Sequence, residues 1–234
     1  MLCNEYFEEL KASYSLVRRL SDNNGALTLL LKHKKLNSYL IYRRYSAPVA
    51  VYDYLKTISF ENLPTVYDTY RFDDGQVVLE EYIDGLTVAE AIENGLYAYN
   101  GARTVVLGVC NALAPLHSLG FVHRDIKPEN VIISNAGCVK LIDFNASRRT
   151  TPKAECDTVQ IGTIGYASPE QLGIAQSDTR TDIYALGVLL NVMLTGNHPS
   201  KQLATGKAGK IVLKCTQINP ESRFQSVYEL MASL

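Results

Sequence analysis

The chain has 234 residues and a formal net charge of -1, from 23 Lys+Arg against 24 Asp+Glu. With 47% hydrophobic and 20% charged residues it has the composition of a folded globular protein, which excludes a disordered chain. The near-neutral balance also argues against a nucleic-acid partner, because the phosphate backbone calls for a broad basic surface. At about 150 residues per domain the length is long for one domain and short for two, so a single unit with two lobes is expected.

The start, Met1 to Leu10, carries Glu5, Glu8 and Glu9 where a signal peptide needs a positive end and an apolar centre, and no apolar run is long enough to span a bilayer. Cys3, Cys110, Cys138, Cys156 and Cys215 are odd in number and far apart, without metal-site spacing. They read as reduced thiols of a cytoplasmic protein.

In chain order, the runs Leu27–His33 and Ser38–Tyr45 are β-rich and flank Lys34–Asn37, which predicts a hairpin whose basic tip is solvated. Pro48 sits where helices start, and Val51, Leu55 and Ile58 share a face, so a short helix over Val49–Ile58 is predicted. Val77–Tyr82 reads as a strand that runs through Asp84-Gly85 to Thr87. Thr87 and Glu90 have capping-box spacing, and beyond them the chain is mainly helical, over Thr104–Leu119, Thr181–Leu194 and Ser226–Met231. Short strands at Val131–Ile133 and Val139–Ile142 bracket polar loops. A strand-rich first part, a helical second part and polar loops between them predict an α+β chain with a cleft.

The chemistry concentrates in His123-Arg-Asp-Ile-Lys-Pro-Glu-Asn130, followed by Asp143-Phe-Asn145. Phosphoryl transfer from a nucleotide needs a group that orients the attacking hydroxyl, a cation near the transferred phosphate and oxygen ligands for magnesium. Asp125 can supply the first, Lys127 the second, and Asn130 with Asp143 the third. Any one of these residues alone would be an ordinary surface or turn residue; the combination is what carries meaning.

These motifs resemble the eukaryotic-type protein kinase domain, in particular its bacterial serine/threonine members, and the resemblance spans almost the whole chain. Asp143-Phe144-Asn145 takes the place of D-F-G, and Ser168-Pro169-Glu170 that of A-P-E. Asp182-Ile-Tyr-Ala-Leu-Gly187 resembles the start of the large helix, and Arg223 the arginine that pairs with Glu170. The resemblance implies a bilobal α+β fold over residues 1–234, with an N-lobe at about 1–82, a hinge at about 81–86 and a C-lobe at about 87–234. It implies ATP and Mg2+ as cofactors, a protein substrate with a Ser/Thr acceptor, and self-association for autophosphorylation, with Thr158 as the candidate site and Arg124 as its captor. Thr163 resembles the threonine that bonds Asp125 and Lys127. His123 and Phe144 are expected in a stack with Leu55 and Val66, anchored by a buried Asp182 that binds backbone amides.

The first part departs from the family. Ser21, Asn23 and Ala26 stand where three glycines cover the phosphates, so the segment is either a weaker phosphate-covering loop or an ordinary hairpin. Arg43 stands where the phosphate-binding lysine does, an exchange that is not conservative. Val51 stands at the position of the glutamate that pairs with that lysine, whereas Arg44 points to the other face and is expected in solvent. Glu81 and Ile83 fall in the hinge that binds adenine, and Ile132 is a further cofactor-binding candidate. Glu80 falls at the back of the pocket. A buried carboxylate needs a partner, so Glu80 is expected to pair with Arg43 unless a one-residue register shift turns it to solvent. The reading that follows is an active serine/threonine kinase. The alternatives are a nucleotide-binding pseudokinase, motivated by the lost glycines, Arg43 and Asn145 in place of the D-F-G glycine, and a small-molecule kinase.

Overall fold

A computed structural model describes residues 2–23, 25–150, 165–172 and 176–234. Thr158, Thr163 and Cys156 lie outside the described residues. The chain divides into two units, Met1–Ile83 and Asp84–Leu234.

The first unit consists of α1 (Cys3–Leu10), β1 (Tyr14–Asn23), β2 (Ala26–His33), β3 (Tyr39–Tyr45), α2 (Val51–Leu55), β4 (Val66–Phe72) and β5 (Gly75–Glu81). The strands form one antiparallel sheet in the order β1-β2-β3-β5-β4. Residues alternate between its faces. Leu29, Leu31, Leu40, Tyr42, Val77 and Leu79 share one face, which α1 covers with Cys3, Tyr6, Phe7 and Leu10. The helix is fixed at its start by Glu5, whose side chain accepts the Leu2 N–H at 2.7 Å, and by Asp74, which accepts the Cys3 N–H at 3.1 Å. Arg44 also lies on this side. Contrary to the solvated position expected of it, it is half-buried and donates to Asn4 Oδ1 at 2.6 Å.

The predicted helix at Val49–Ile58 is shorter than expected. Its first expected turn is diverted because the Val49 N–H donates to Gln76 Oε1 at 2.7 Å. Its end closes where Thr57 bonds the Tyr54 carbonyl through both its N–H and its hydroxyl, each at 2.8 Å. The remaining five residues are pinned to the sheet by a buried Tyr45–Tyr52 hydroxyl contact of 2.8 Å and by an Asp53–Arg71 ion pair.

The second unit contains β6 (Gly85–Thr87), α3 (Val88–Glu93), α4 (Tyr99–Ser118), β7 (Phe121–Val122), β8 (Val131–Ser134), β9 (Val139–Leu141), β10 (Arg148–Arg149), α5 (Thr179–Thr195), α6 (Gly206–Cys215) and α7 (Val227–Ser233). Two small antiparallel sheets, β6-β8-β9 and β10-β7, lie among the helices. The capping box at the head of α3 is formed: the Glu90 N–H donates to Thr87 Oγ1 at 3.1 Å, and the Thr87 N–H to Glu90 Oε2 at 2.8 Å. Helix α5, capped by Asp178 and buried for most of its length, is the axis of this unit. Its partner is α6, reached through the connection that follows Thr195. Asn191 holds that connection tight, donating to the carbonyls of Asn197 and Gln202 and accepting the Ala204 N–H, each at 2.8 Å. The two helices approach so closely that a Cβ at Gly187 would lie 2.4 Å from Cys215 Cβ. Among the described residues no helix is long and apolar enough to cross a membrane, and no cluster of His, Cys, Asp and Glu has the makings of a metal site.

Candidate active site

In the first unit the antiparallel register sets Thr28, Arg43 and Val78 in one row, and Ile41 opposite Glu80. Arg43 and Glu80 are therefore diagonal neighbours on the same face, the arrangement in which long side chains on adjacent strands meet. Arg43 Nε lies 2.6 Å from Glu80 Oε1, and Arg43 Nη1 donates to Thr28 Oγ1 at 3.3 Å. Both side chains are buried, 9% and 2% exposed. A lone charge in such a place would be several kcal/mol out of balance, and mutual pairing is what permits either one. The register shift that would have sent Glu80 to solvent does not occur. Val51, where a helix glutamate would have to be, is buried in α2.

Ser21 and Asn23 end β1 and Ala26 begins β2, with Ser21 opposite Thr28 and Asn23 opposite Ala26. The two strands thus pair antiparallel up to Asn23 and Ala26. Gly25, just before β2, is left-handed (φ +77°), and a Cβ there would lie 2.4 Å from Ser46 Oγ. Glu81 is engaged with Thr65, donating its N–H to the Thr65 carbonyl at 2.8 Å and accepting the Thr65 N–H on its side chain at 2.9 Å. Ile83 is buried at the end of this unit. A cavity of about 290 Å³ lined by Asp22, Leu27 and Arg44 lies on the side of the sheet that Arg44 faces, away from Arg43, and belongs to neither candidate group.

The second unit brings together Asp125, Lys127 and Asn130. Lys127 Nζ lies 2.8 Å from Asp125 Oδ2. Asn130 Nδ2 donates to both the backbone carbonyl and Oδ2 of Asp125, at 2.8 and 2.9 Å. With its amide hydrogens directed at Asp125, the oxygen of Asn130 is the end able to serve a hard cation. Asp143 follows directly on Ile142, whose N–H donates to the Asn130 carbonyl at 2.9 Å. Its backbone is left-handed (φ 64°), an uncommon state for a non-glycine residue, and its Oδ1 accepts the Asn145 N–H at 3.3 Å. Ile132 lies on β8 in this unit, between Thr87 and Lys140 in register.

The loop that carries Asp125 is held from α5. Asp182, fully buried, accepts the N–H groups of His123 at 2.9 Å and Arg124 at 2.8 Å, together with His117 Nε2 at 2.8 Å. Burial alone would push its carboxyl pKa up; the bonds from His117 and the backbone outweigh that and hold it below the usual carboxylate range. Burial acts on His123 in the opposite sense, lowering its pKa against the pull of Asp182, Asp125 and Asp143. The His123 ring meets Phe144 edge-on with centroids 5.1 Å apart. Leu55 and Val66, predicted to share this stack, are buried in the first unit. The predicted Glu170–Arg223 pair is bidentate, at 2.6 and 2.9 Å, and a hydrogen bond from Thr181 adds to it at 2.9 Å. These partners keep Glu170 ionised against the cost of its burial.

Two buried residues, one in each unit, had no counterpart in the sequence reading. Gln76, fully buried beneath α2, donates to Thr69 Oγ1 at 2.7 Å as well as accepting from Val49. Gln171, directly after Glu170, donates to the Arg124 carbonyl at 2.8 Å. Only its place beside Ser168-Pro169-Glu170 could have drawn attention to it.

A family profile described as protein kinase domain matches residues 25–232. Among similar curated proteins, a probable serine/threonine-protein kinase of Clostridium perfringens is 27% identical over 237 residues, covering 91% of this chain and 34% of its own length. Serine/threonine-protein kinase PknB of Mycolicibacterium smegmatis is 30% identical over 227 residues, with 84% and 35% covered. Serine/threonine-protein kinase PknL of Mycobacterium tuberculosis is 40% identical over 139 residues, with 58% and 35% covered. The chain spans about a third of the length of these relatives.

Proposed function

The chain belongs to the protein kinase family, as a eukaryotic-type domain of the bacterial serine/threonine kind, and from that premise we propose that it transfers the γ-phosphate of ATP to a serine or threonine hydroxyl of a protein substrate. The observation that carries this reading is the joined geometry of Asp125, Lys127 and Asn130. In this reading the two units are the lobes of one kinase domain in a cytoplasmic protein.

Asp125 orients the acceptor hydroxyl and takes its proton as the oxygen–phosphorus bond forms and the bond to the departing ADP breaks. Lys127, beside Asp125 Oδ2, places a positive charge where the transferred phosphoryl group carries developing negative charge. Asn130 and Asp143 are the ligands for Mg2+, which when bound neutralises phosphate oxygens; an amide oxygen and a carboxylate suit a hard cation. Arg43 serves as the phosphate-contacting cation of the first unit, and Glu80 holds it in place of a helix glutamate. Glu81, Ile83 and Ile132 contribute the adenine site. The hairpin at Ser21, Asn23 and Ala26 covers the phosphates without the close backbone approach that glycines allow.

The pseudokinase reading draws on that hairpin, on Arg43 and on Asn145. The small-molecule kinase reading is disfavoured by the buried Glu170–Arg223 pair, which anchors the segment that the resemblance associates with peptide docking. The test is incubation of the purified protein with labelled ATP and Mg2+, alone and with a generic basic protein, beside Asp125→Asn and Asp143→Asn. Label on serine or threonine that both variants lose by about 10²-fold or more supports the kinase. No transfer, with ATP still raising the melting temperature, supports the pseudokinase. Phosphate on Thr158 would extend the reading to autophosphorylation.

A further inference from the structure

We propose that Gln171 is a positioning residue for Asp125, clamping the peptide bond from which the catalytic carboxylate departs; this rests on the kinase reading above. Arg124 is one of two described non-glycine residues with positive φ, at 70°, and it immediately precedes Asp125. The positive φ of Arg124 fixes the His123–Arg124 peptide in an uncommon orientation, and the next peptide, Arg124–Asp125, is left to be oriented by ψ of Arg124 and φ of Asp125. The orientation of the Arg124–Asp125 peptide sets the direction in which the Asp125 side chain leaves the backbone.

Each polar group around this plane has a partner. The Arg124 N–H donates to Asp182 Oδ1 at 2.8 Å, and the Asp125 N–H to His123 Nδ1 at 3.3 Å, the longest bond of the set. The carbonyl of Arg124, the group that would swing furthest in a flip, accepts from Gln171 Nε2 at 2.8 Å. Gln171 is itself fixed. It is 2% exposed, its Oε1 accepts the Ser168 N–H at 3.0 Å, and its own N–H donates to the Ser168 carbonyl at 3.0 Å. Because Ser168 takes the acceptor end of the amide, the donor end must face Arg124. The position calls for a side chain that accepts at one atom and donates at another, at glutamine's length. Glutamate supplies only acceptors, and methionine has the length without the amide.

The neighbouring Glu170 is bound to Arg223 and Thr181, so the clamp is anchored to the helical core rather than to a loose loop. The segment that ends at Gln171 and the loop that carries Asp125 are thus joined through one hydrogen bond at the peptide preceding the catalytic group.

The test compares wild type, Gln171→Glu and Gln171→Met in steady-state transfer of labelled phosphate from MgATP to a basic protein, with amide hydrogen exchange across residues 122–127 measured on the same samples. The expected result is a kcat at least about tenfold lower in both variants, about 1.4 kcal/mol in the barrier, with KM for ATP within about twofold and exchange at 124–126 at least about tenfold faster. A kcat within twofold of wild type in both variants overturns the proposal. So does exchange that quickens throughout residues 84–234, which marks a general structural role. If wild type transfers no more phosphate than Asp125→Asn, the kinase reading fails. The exchange data then judge the clamp alone, and unchanged exchange at 124–126 rejects it as well.

Discussion

Replacing Glu80 by leucine tests the central assignment of the first unit. The Arg43 and Glu80 side chains, 9% and 2% exposed and 2.6 Å apart, form a pair from which water is excluded. Removing the carboxylate takes from the buried Arg43 guanidinium the charge that its Nε meets at 2.6 Å. Breaking a buried pair from one side costs about 3–5 kcal/mol. At roughly 2–4 °C per kcal/mol for a chain of this size, the melting temperature falls by about 6–20 °C. Removing both charges, as Arg43→Met with Glu80→Leu, is expected to restore stability to within about 1 kcal/mol of wild type or to exceed it, since apolar replacements of buried pairs are often neutral or better. Urea unfolding followed by circular dichroism gives the four corners of the cycle, and labelled-ATP transfer is measured on each protein. Stability should return in the double variant while phosphotransfer stays lost, because the cation assigned to the nucleotide phosphates is gone. A coupling energy below about 0.5 kcal/mol, the range of independent sites, would refute the pairing argument. Recovery of transfer in the double variant would refute the role of Arg43.

Stability should fall with acid in two phases. The pKa of His123 is held below its ordinary 6.5, so below that pH the unfolded chain binds a proton that the native state resists, and stability declines. Asp182 and Glu170 are depressed from 3.8 and 4.5, so their contributions are complete above those values and are lost as pH falls through the lower native ones. Urea midpoints between pH 8 and 3 measure both phases, and a flat profile from pH 7 to 5 would contradict the buried neutral His123. Arg223→Met, which leaves Glu170 buried without its bidentate partner, should cost about 3–5 kcal/mol in urea unfolding; a loss below 1 kcal/mol would show the pair to be dispensable. Gly187→Ala should cost about 1–3 kcal/mol by driving a methyl group into Cys215, and an unchanged melting temperature would mean that α5 and α6 separate easily.

What the sequence made legible was whatever is written locally. The Thr87–Glu90 cap, the hairpin around Lys34–Asn37 and the grouping of Asp125, Lys127 and Asn130 depend on residues a few positions apart, and all three are present in the structure. The Arg43–Glu80 pair spans 37 residues yet was still accessible, because strand alternation and the cost of an unpaired buried charge leave few arrangements. Helices α1 and α6 escaped notice for different reasons. The glutamates of α1 draw attention to its exposed side, and its apolar side has meaning only against the sheet. The two glycines of α6 lower its propensity, and packing against α5 overrides it. Gln171 was illegible because its function is to bond a carbonyl 47 residues away, which no pattern in the residue types encodes.

Helix α1 bears on how the protein should be handled at the bench. The family match begins at residue 25, and a recombinant fragment cut there would start within the β1–β2 hairpin. It would strip the cover from Leu29, Leu31, Leu40, Tyr42, Val77 and Leu79, and leave β2 as a bare sheet edge. An apolar face beside an unpaired strand is a template for association between molecules. Expression boundaries for crystallisation or inhibitor screening therefore belong upstream of Cys3, with any affinity tag placed at the other end of the chain.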